Sequence, residues 1–293
     1  MPFHLPLRTA CAVLTASLAA WAGELLAAPS TLTVEAVQAP AWVERNGQRS
    51  PVEPGMTLRA QDKALTAAGS RLLLRMDDRS AIKLGEQTEL QVRSLDAQPS
   101  DPKGHFKLAA GVFRYVTDGI GKAPVHLELG SATVVMRGPD VWSTTNADQE
   151  AACVFDGKAE VVRDAKPRIA LDKPGALWIV YSGEPEKPAD QATPAQWTKF
   201  TAQSELQAGG GVLSPGGRWR TVAALLNSPA QAATLQARLQ AAGYPAETKA
   251  KGGRLEVRII QLASRADAEA LLQRLRSDAD LGVTEGRAAL AAQ

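Results

Sequence analysis

Apolar and polar residues alternate in short runs between residues 29 and 181. Leu32–Val37 alternates in this way, and similar runs follow at intervals of about ten residues, with turn signals between them. Asn46-Gly47 and Asp156-Gly157 separate pairs of runs, and both dipeptides are typical of two-residue hairpin turns. No stretch of this region has the 3.6-residue period of a helix. The pattern predicts an all-β domain over residues 29–181, a sandwich or a roll.

A unit of strand, turn and helix occurs twice near the C-terminus. Each copy has a strand-like run followed by a serine and a helical pattern, and the serines are 36 residues apart. The repeated residues are Ser228, Ala230, Ala232, Leu235, Arg238 and Leu239, then Ser264, Ala266, Ala268, Leu271, Arg274 and Leu275. Ser228 and Ser264 are good N-cap residues, and Gly243 suits the left-handed conformation that ends a helix.

Two more strands complete the C-terminal pattern. Ala246–Lys249 follows the first helix, and Gly282–Gly286 follows the second. The resulting order, β-α-β-β-α-β, is that of the ferredoxin-like motif. We therefore expect an α+β protein in which a ferredoxin-like βαββαβ domain over residues 218–293 follows the all-β domain.

The residues of this C-terminal region resemble the SPOR domain, a bacterial module that in its family binds peptidoglycan glycan strands stripped of their stem peptides. The family's first strand commonly reads aromatic-Val-Gln-Val-Gly-Ser-Phe; Trp219 and Val222 keep part of it, while the Gln, Gly, Ser and Phe are replaced. Its third strand, commonly Tyr-Arg-Val-Arg-Val-Gly-Pro-Phe, resembles Leu255–Leu262. The resemblance implies binding to denuded glycan strands.

Strand alternation then predicts which residues contact the glycan. Val222, Val257 and Ile259 are expected to face the helices, which leaves Thr221 and Arg258 on the opposite, open face of the sheet. Thr221 and Arg258 also lie where the family has Gln and Arg. Hydrogen-bonding side chains beside a flat apolar ring suit a saccharide. The predicted glycan-binding residues are Trp219, Thr221, Arg258 and Gln261, although core packing is an equal alternative for Trp219.

Several phrases of the all-β region resemble the FecR domain, a bacterial periplasmic module. They are Gly55–Leu58, Asp62, Leu65-Thr66, Arg71–Leu84, Gly111–Phe113 and Val135–Trp142. FecR proteins that control a sigma factor carry a cytoplasmic segment and a membrane helix before this domain. Neither pattern precedes it in this sequence, so we do not expect that signalling role.

The segments outside the two domains have compositions of their own. Prolines, acidic residues and Gly209–Gly211 predict a linker over residues 182–217, so the domains should move independently. A basic start and a short apolar stretch predict a signal peptide over residues 1–28, cut after Ala22 or Ala28. An uncleaved anchor is the alternative. With the signal removed, we expect no membrane span and a location in the periplasm or cell envelope of a bacterium.

Composition and charge exclude several classes of function. Residues 218–293 hold 11 basic and 7 acidic side chains, a net charge of +4 that mildly favours an anionic partner. The mature chain has one cysteine, Cys153, and two histidines, His105 and His126, without the spacing of a zinc site. It has no phosphate-binding loop, no nucleophile and base, and no aromatic RNA-binding signature. We expect no enzyme, no cofactor or metal, and no nucleic-acid partner.

Three hypotheses follow. The first is an exported envelope protein that is attached to peptidoglycan by its SPOR-like domain, with the FecR-like domain as a scaffold or ligand-binding module. The second is a protein-interaction adaptor or regulator of the envelope whose SPOR-like domain no longer binds glycan, which the missing Gln and Ser favour. The third, an envelope hydrolase, lacks a catalytic constellation, because acidic pairs such as Asp77-Asp78 lie in a turn. An envelope protein that binds the β-domain is the other expected partner.

Overall fold

The structure is a computed structural model that describes residues 31–95, 104–118 and 123–290, together with Met1. The predicted signal peptide, with both expected cleavage positions, lies outside these residues. Among the residues described, no helix is long and apolar enough to cross a membrane.

The N-terminal domain consists of strands, as the alternating runs predict. In chain order they are β1 (Leu32–Gln38), β2 (Ala41–Arg45), β3 (Gln48–Pro51), β4 (Thr57–Leu58), β5 (Lys63–Thr66), β6 (Arg71–Met76), β7 (Ala81–Leu84), β8 (Glu89–Ser94), β9 (Gly104–Val116), β10 (Val125–Glu128), β11 (Thr133–Met136), β12 (Asp140–Thr145), β13 (Gln149–Asp156), β14 (Ala159–Val162), β15 (Ile169–Leu171) and β16 (Ala176–Tyr181). One sheet has the order β1-β6-β7-β9-β12-β13-β16, and the other has the order β3-β2-β5-β8-β9-β10-β11-β14-β15.

The long strand β9 belongs to both sheets and bends between them. Gly111 lies at the bend with φ +97°, and a Cβ there would come within 2.3 Å of the Thr88 hydroxyl oxygen. Phe106 on one arm and Phe113 on the other have ring centroids 5.8 Å apart, and both side chains are fully buried. The two sheets therefore enclose one core, which gives the predicted sandwich or roll.

Residues 182–217 differ from the expected linker. They form β17 (Asp190–Gln191), helix α1 (Pro194–Ser204) and β18 (Val212–Leu213). Helix α1 lies on the outer face of the β-domain, where Trp197 stacks on Phe155 at 4.8 Å and Phe200 stacks on Trp142 at 4.0 Å. The prolines and glycines lie at the ends of these elements, and the aromatic pairs hold the segment against the domain.

The C-terminal domain has the predicted βαββαβ order. Its elements are β19 (Trp219–Leu226), α2 (Pro229–Ala241), β20 (Ala246–Lys251), β21 (Arg254–Leu262), α3 (Arg265–Ser277), a 3₁₀ turn (Ala279–Leu281) and β22 (Arg287–Leu290). The sheet order is β20-β21-β19-β22, and all pairs are antiparallel. The predicted α+β fold class is confirmed.

The ends of the two helices follow the sequence pattern. The hydroxyl of Ser228 accepts a hydrogen bond from the Gln231 amide at 3.4 Å, and Ser264 accepts one from Asp267 at 3.1 Å. Gly243 has φ +84° after the first helix. The last strand was placed wrongly: the 3₁₀ turn ends at the left-handed Gly282, residues 282–286 form a loop, and the strand begins only at Arg287.

Strand β18 joins the two domains through backbone hydrogen bonds. Leu213 pairs with Val37 of β1 on one side and with Leu262 of β21 on the other. The carboxylate of Asp267 at the start of α3 accepts hydrogen bonds from the Gly211 and Val212 amides at 3.1 and 3.0 Å. One continuous sheet therefore crosses the boundary between the domains.

Side chains reinforce this connection. The indole nitrogen of Trp42 donates to the Ala241 carbonyl at 3.0 Å, and a Cβ at Gly243 would come within 2.6 Å of the same ring. Arg274 on α3 donates to the Ala39 carbonyl of the β-domain. These contacts contradict the expectation that the domains move independently, because bending between them would break strand pairing and expose Trp42.

Candidate functional site

Helices α2 and α3 cover one face of the C-terminal sheet, and we call the opposite one the open face. The strand register places there Arg220, Val222, Leu225, Glu247, Lys249, Arg254, Glu256, Arg258, Ile260 and Arg287. Along β21 the open-face residues follow at every second position, as strand geometry requires. The predicted inward positions of Val257 and Ile259 agree with their full burial.

An ion-pair network occupies the centre of the open face. Glu256 is completely buried, and its carboxylate lies 3.0 Å from Arg220, 3.4 Å from Arg258 and 3.3 Å from Lys251. Arg258 also donates to Glu247 at 2.7 Å. Burial raises the pKa of Glu256, but the hydrogen bond from Lys251, the charges of Arg220 and Lys251 and the hydrogen bond from Arg258 outweigh it and lower that pKa below its usual value.

Arg258 lies on the open face as predicted, whereas Thr221 does not. The Thr221 side chain is fully buried on the helix side, where its hydroxyl donates to the Ala268 carbonyl of α3 at 2.8 Å. The pairing of β19 with β21 is irregular between Trp219 and Thr221 and again between Val222 and Ala224. These β-bulges shift the alternation, so Val222 lies on the open face instead of Thr221.

The other two predicted residues lie at the margins of the sheet. Trp219 is half-buried and packs against the core, in line with the alternative interpretation of this residue. Gln261 has φ +63°, and it lines a cavity of about 150 Å³ with Ile260, Leu213 and the β-domain residue Glu53. The structure therefore does not bring the four predicted residues together into one site.

A groove lies at the other end of the open face, where β19 and β21 meet the start of β22. It has a volume of about 320 Å³, with Val222, Leu225, Arg254 and Arg287 among its lining residues. Both arginines are exposed. No sequence motif predicted this groove, although the charged residues at every second position of β21 indicate a polar face.

Comparison with known proteins assigns both domains. Residues 62–160 match the family model described as FecR protein, and residues 215–283 match the model of the SPOR domain. The chain carries a FecR domain followed by a SPOR domain. Both predicted resemblances are thereby confirmed, in the predicted order.

The whole chain has only weak similarity to known proteins. No curated protein matches the chain. Three chains among the solved structures match, two of them from crystal structures of a proposed anti-sigma factor from Parabacteroides distasonis ATCC 8503, at 1.65 Å and 2.50 Å resolution. They have 12% and 13% identity and a TM-score of 0.40; the matches cover 66% and 79% of this chain and 96% and 98% of those chains.

The FecR domain places its two histidines side by side. The Nε2 atom of His105 lies 2.7 Å from a Glu128 carboxylate oxygen, and the ring of His126 meets that of His105 edge-on at 6.1 Å. Burial and the charges of His105 and Arg137 lower the pKa of His126. Within the described residues, no group of three or more His, Cys, Asp or Glu is placed to hold a metal ion.

Cys153 lies in the small apolar cluster beneath helix α1, in the FecR domain. Its side chain is fully buried, and it lies in one cluster with the buried side chains of Trp142, Phe155 and Phe200. Burial, with a contribution from Asp140, raises the pKa of this thiol to about 12. A protonated, buried thiol is a poor nucleophile, so this position favours a packing role.

Proposed function

We propose that this protein is an exported, non-enzymatic binding protein of the bacterial cell envelope. Its SPOR domain attaches it to denuded glycan strands of peptidoglycan in the periplasm. Its FecR domain acts as a scaffold or as a module that binds an envelope protein. The observation that carries the proposal is the SPOR domain at residues 215–283, because this family supports peptidoglycan binding.

The open face is the part of the SPOR domain that suits a glycan. It combines arginine side chains with the partly exposed apolar surface of Leu225. A glycan offers hydroxyl and amide groups together with weakly apolar ring faces, which these residues complement. Thr221 and Trp219 do not contribute from their observed positions, so we expect weak binding.

Co-sedimentation with purified sacculi tests the proposal. The full chain is mixed with untreated sacculi and with sacculi from which an amidase has removed the stem peptides. We expect more protein in the pellet after amidase treatment, and less for Arg258→Ala. Arg265→Ala is the matched control, because Arg265 is exposed on α3 and pairs with Glu269 on the helix side of the sheet. Equal and negligible pelleting with both kinds of sacculi would refute glycan attachment.

The second candidate is an adaptor that has lost glycan affinity. The ion-pair network favours the adaptor, because Glu256 and Arg220 at the centre of the open face are buried and paired with each other, and not available to a glycan. In this case the two domains, joined through β18, would present a composite surface to another envelope protein. Absence of pelleting, together with specific capture of an envelope protein by the full chain, would support the adaptor.

A further inference from the structure

We infer that the groove lined by Arg254 and Arg287 is a carboxylate-binding subsite of the SPOR domain. Its ligand is the lactyl carboxylate of each muramic acid, which becomes free when the stem peptide is removed. This inference rests on the proposed function and explains which chemical group of a denuded strand the domain recognises.

The first argument is the availability of the two arginines. Arg220 and Arg258 are committed to Glu256 and Glu247 through ion pairs. Arg254 and Arg287 form no ion pair with any residue in the described part of the chain, and both are exposed. Two free guanidinium groups on one groove are suited to a carboxylate, which a guanidinium binds through parallel hydrogen bonds.

The second argument is the balance of charge and apolar surface within the groove. Glu285 is its one acidic lining residue, against the two arginines, so the local balance is positive. Leu225 supplies partly exposed apolar surface beside the charged groups, whereas Val222, which also lines the groove, is only 3% exposed. This combination suits a sugar that carries a carboxylate on a short apolar arm, whereas a neutral sugar would leave both cations without a partner.

The third argument is the position of the groove. Arg254 begins β21, and the open-face residues that follow it lead towards Ile260, roughly 20 Å away at about 3.3 Å per residue. A glycan strand bound along the open face of β21 would place a carboxylate in the groove and the neutral faces of its sugar rings over the ion-pair network of Glu256. Hydrolysis of the amide bond to the stem peptide converts a neutral amide into an anion, so the groove distinguishes the two forms by charge.

The experiment compares two preparations of amidase-treated sacculi with each other and with untreated sacculi. In one, the lactyl carboxylates are left free; in the other, they are coupled to methylamine with a carbodiimide, which restores a neutral amide without a peptide. Binding of the full chain is measured by co-sedimentation over a range of protein concentrations. The variants are Arg254→Gln with Arg287→Gln, the corresponding double Lys variant, and Arg265→Gln as a control for the loss of an arginine on the helix side of the sheet.

We expect the natural chain to lose about tenfold in affinity when the carboxylates are blocked, as for the loss of about 1.4 kcal/mol of binding free energy. The double Gln variant should bind both preparations equally and weakly, whereas the double Lys variant and Arg265→Gln should keep the preference. Equal binding of both preparations by the natural chain would overturn the subsite but leave glycan attachment standing. Preference for untreated sacculi would assign the arginines to stem-peptide carboxylates and also overturn it. No binding to any preparation would refute the proposed function itself.

Discussion

Removal of the Glu256 carboxylate is expected to destabilise the protein strongly. Glu256 is fully buried and Arg220 is only 5% exposed, so replacing Glu256 by Ala leaves a buried guanidinium without its counter-charge. Loss of one partner of a buried ion pair costs about 3–5 kcal/mol. Arg258 and Lys251 are more accessible and can be hydrated in the variant, so they add little to this cost.

Urea unfolding of the full chain measures this loss. With an m-value of about 3 kcal/mol per M, the midpoint should fall by roughly 1–1.7 M. Glu269→Ala is the matched control, because it removes a carboxylate at 2.7 Å from Arg265 in an exposed pair, which is worth about 0.2–0.5 kcal/mol. A loss below about 1 kcal/mol for Glu256→Ala would refute the conclusion that the network stabilises the sheet.

The same network predicts a dependence on pH. The pKa of Glu256 is lowered in the folded protein from its usual 4.5, so the folded state favours the ionised form. This contribution is complete above pH 4.5 and is lost as the pH falls through the lower folded value. The difference in free energy of unfolding between the natural chain and Glu256→Gln should therefore narrow in acid. A constant difference between pH 6 and about pH 3 would contradict this assignment.

Three further predictions concern packing. Leu271→Ala should lower the free energy of unfolding in a urea melt by about 2–5 kcal/mol, because Leu271 is fully buried. Leu235→Ala should lower it by less, because Leu235 is half-buried. Equal losses would mean that the helix faces are assigned wrongly. Trp42→Ala should split thermal unfolding into two transitions, since this ring holds α2 against the β-domain, and a single unchanged transition would argue against domain docking. Cys153 should resist an aromatic disulfide reagent at pH 8, because a thiol with a pKa of about 12 is only about one part in ten thousand ionised at that pH. Phe200→Ala removes a side chain of the cluster around this thiol and should make it reactive. Rapid reaction of Cys153 in the natural chain would refute its burial.

The sequence alone determined the features that depend on local spacing. Alternation of apolar residues predicted the β-domain, and the 36-residue repeat of Ser228 and Ser264 predicted the two helices with their N-caps. The order of elements and both family resemblances followed from the same local signals. These features need only backbone geometry and neighbouring side chains, so no long-range contact had to be known.

Only the tertiary structure decided which side chains meet. Two bulges in β19 reverse the expected direction of Thr221, and a bulge depends on the pairing with β21 and not on the composition of β19. The segment 182–217 has a linker composition, yet Trp197 and Phe200 fold its helix onto the β-domain because apolar partners are available there. The tertiary structure also decides which arginines are paired. Arg220 on β19 forms an ion pair with Glu256 on the neighbouring strand β21, whereas Arg254 and Arg287 form none with a carboxylate among the described residues. Such contacts join residues more than 30 positions apart, so the spacing of residues along the chain does not predict them.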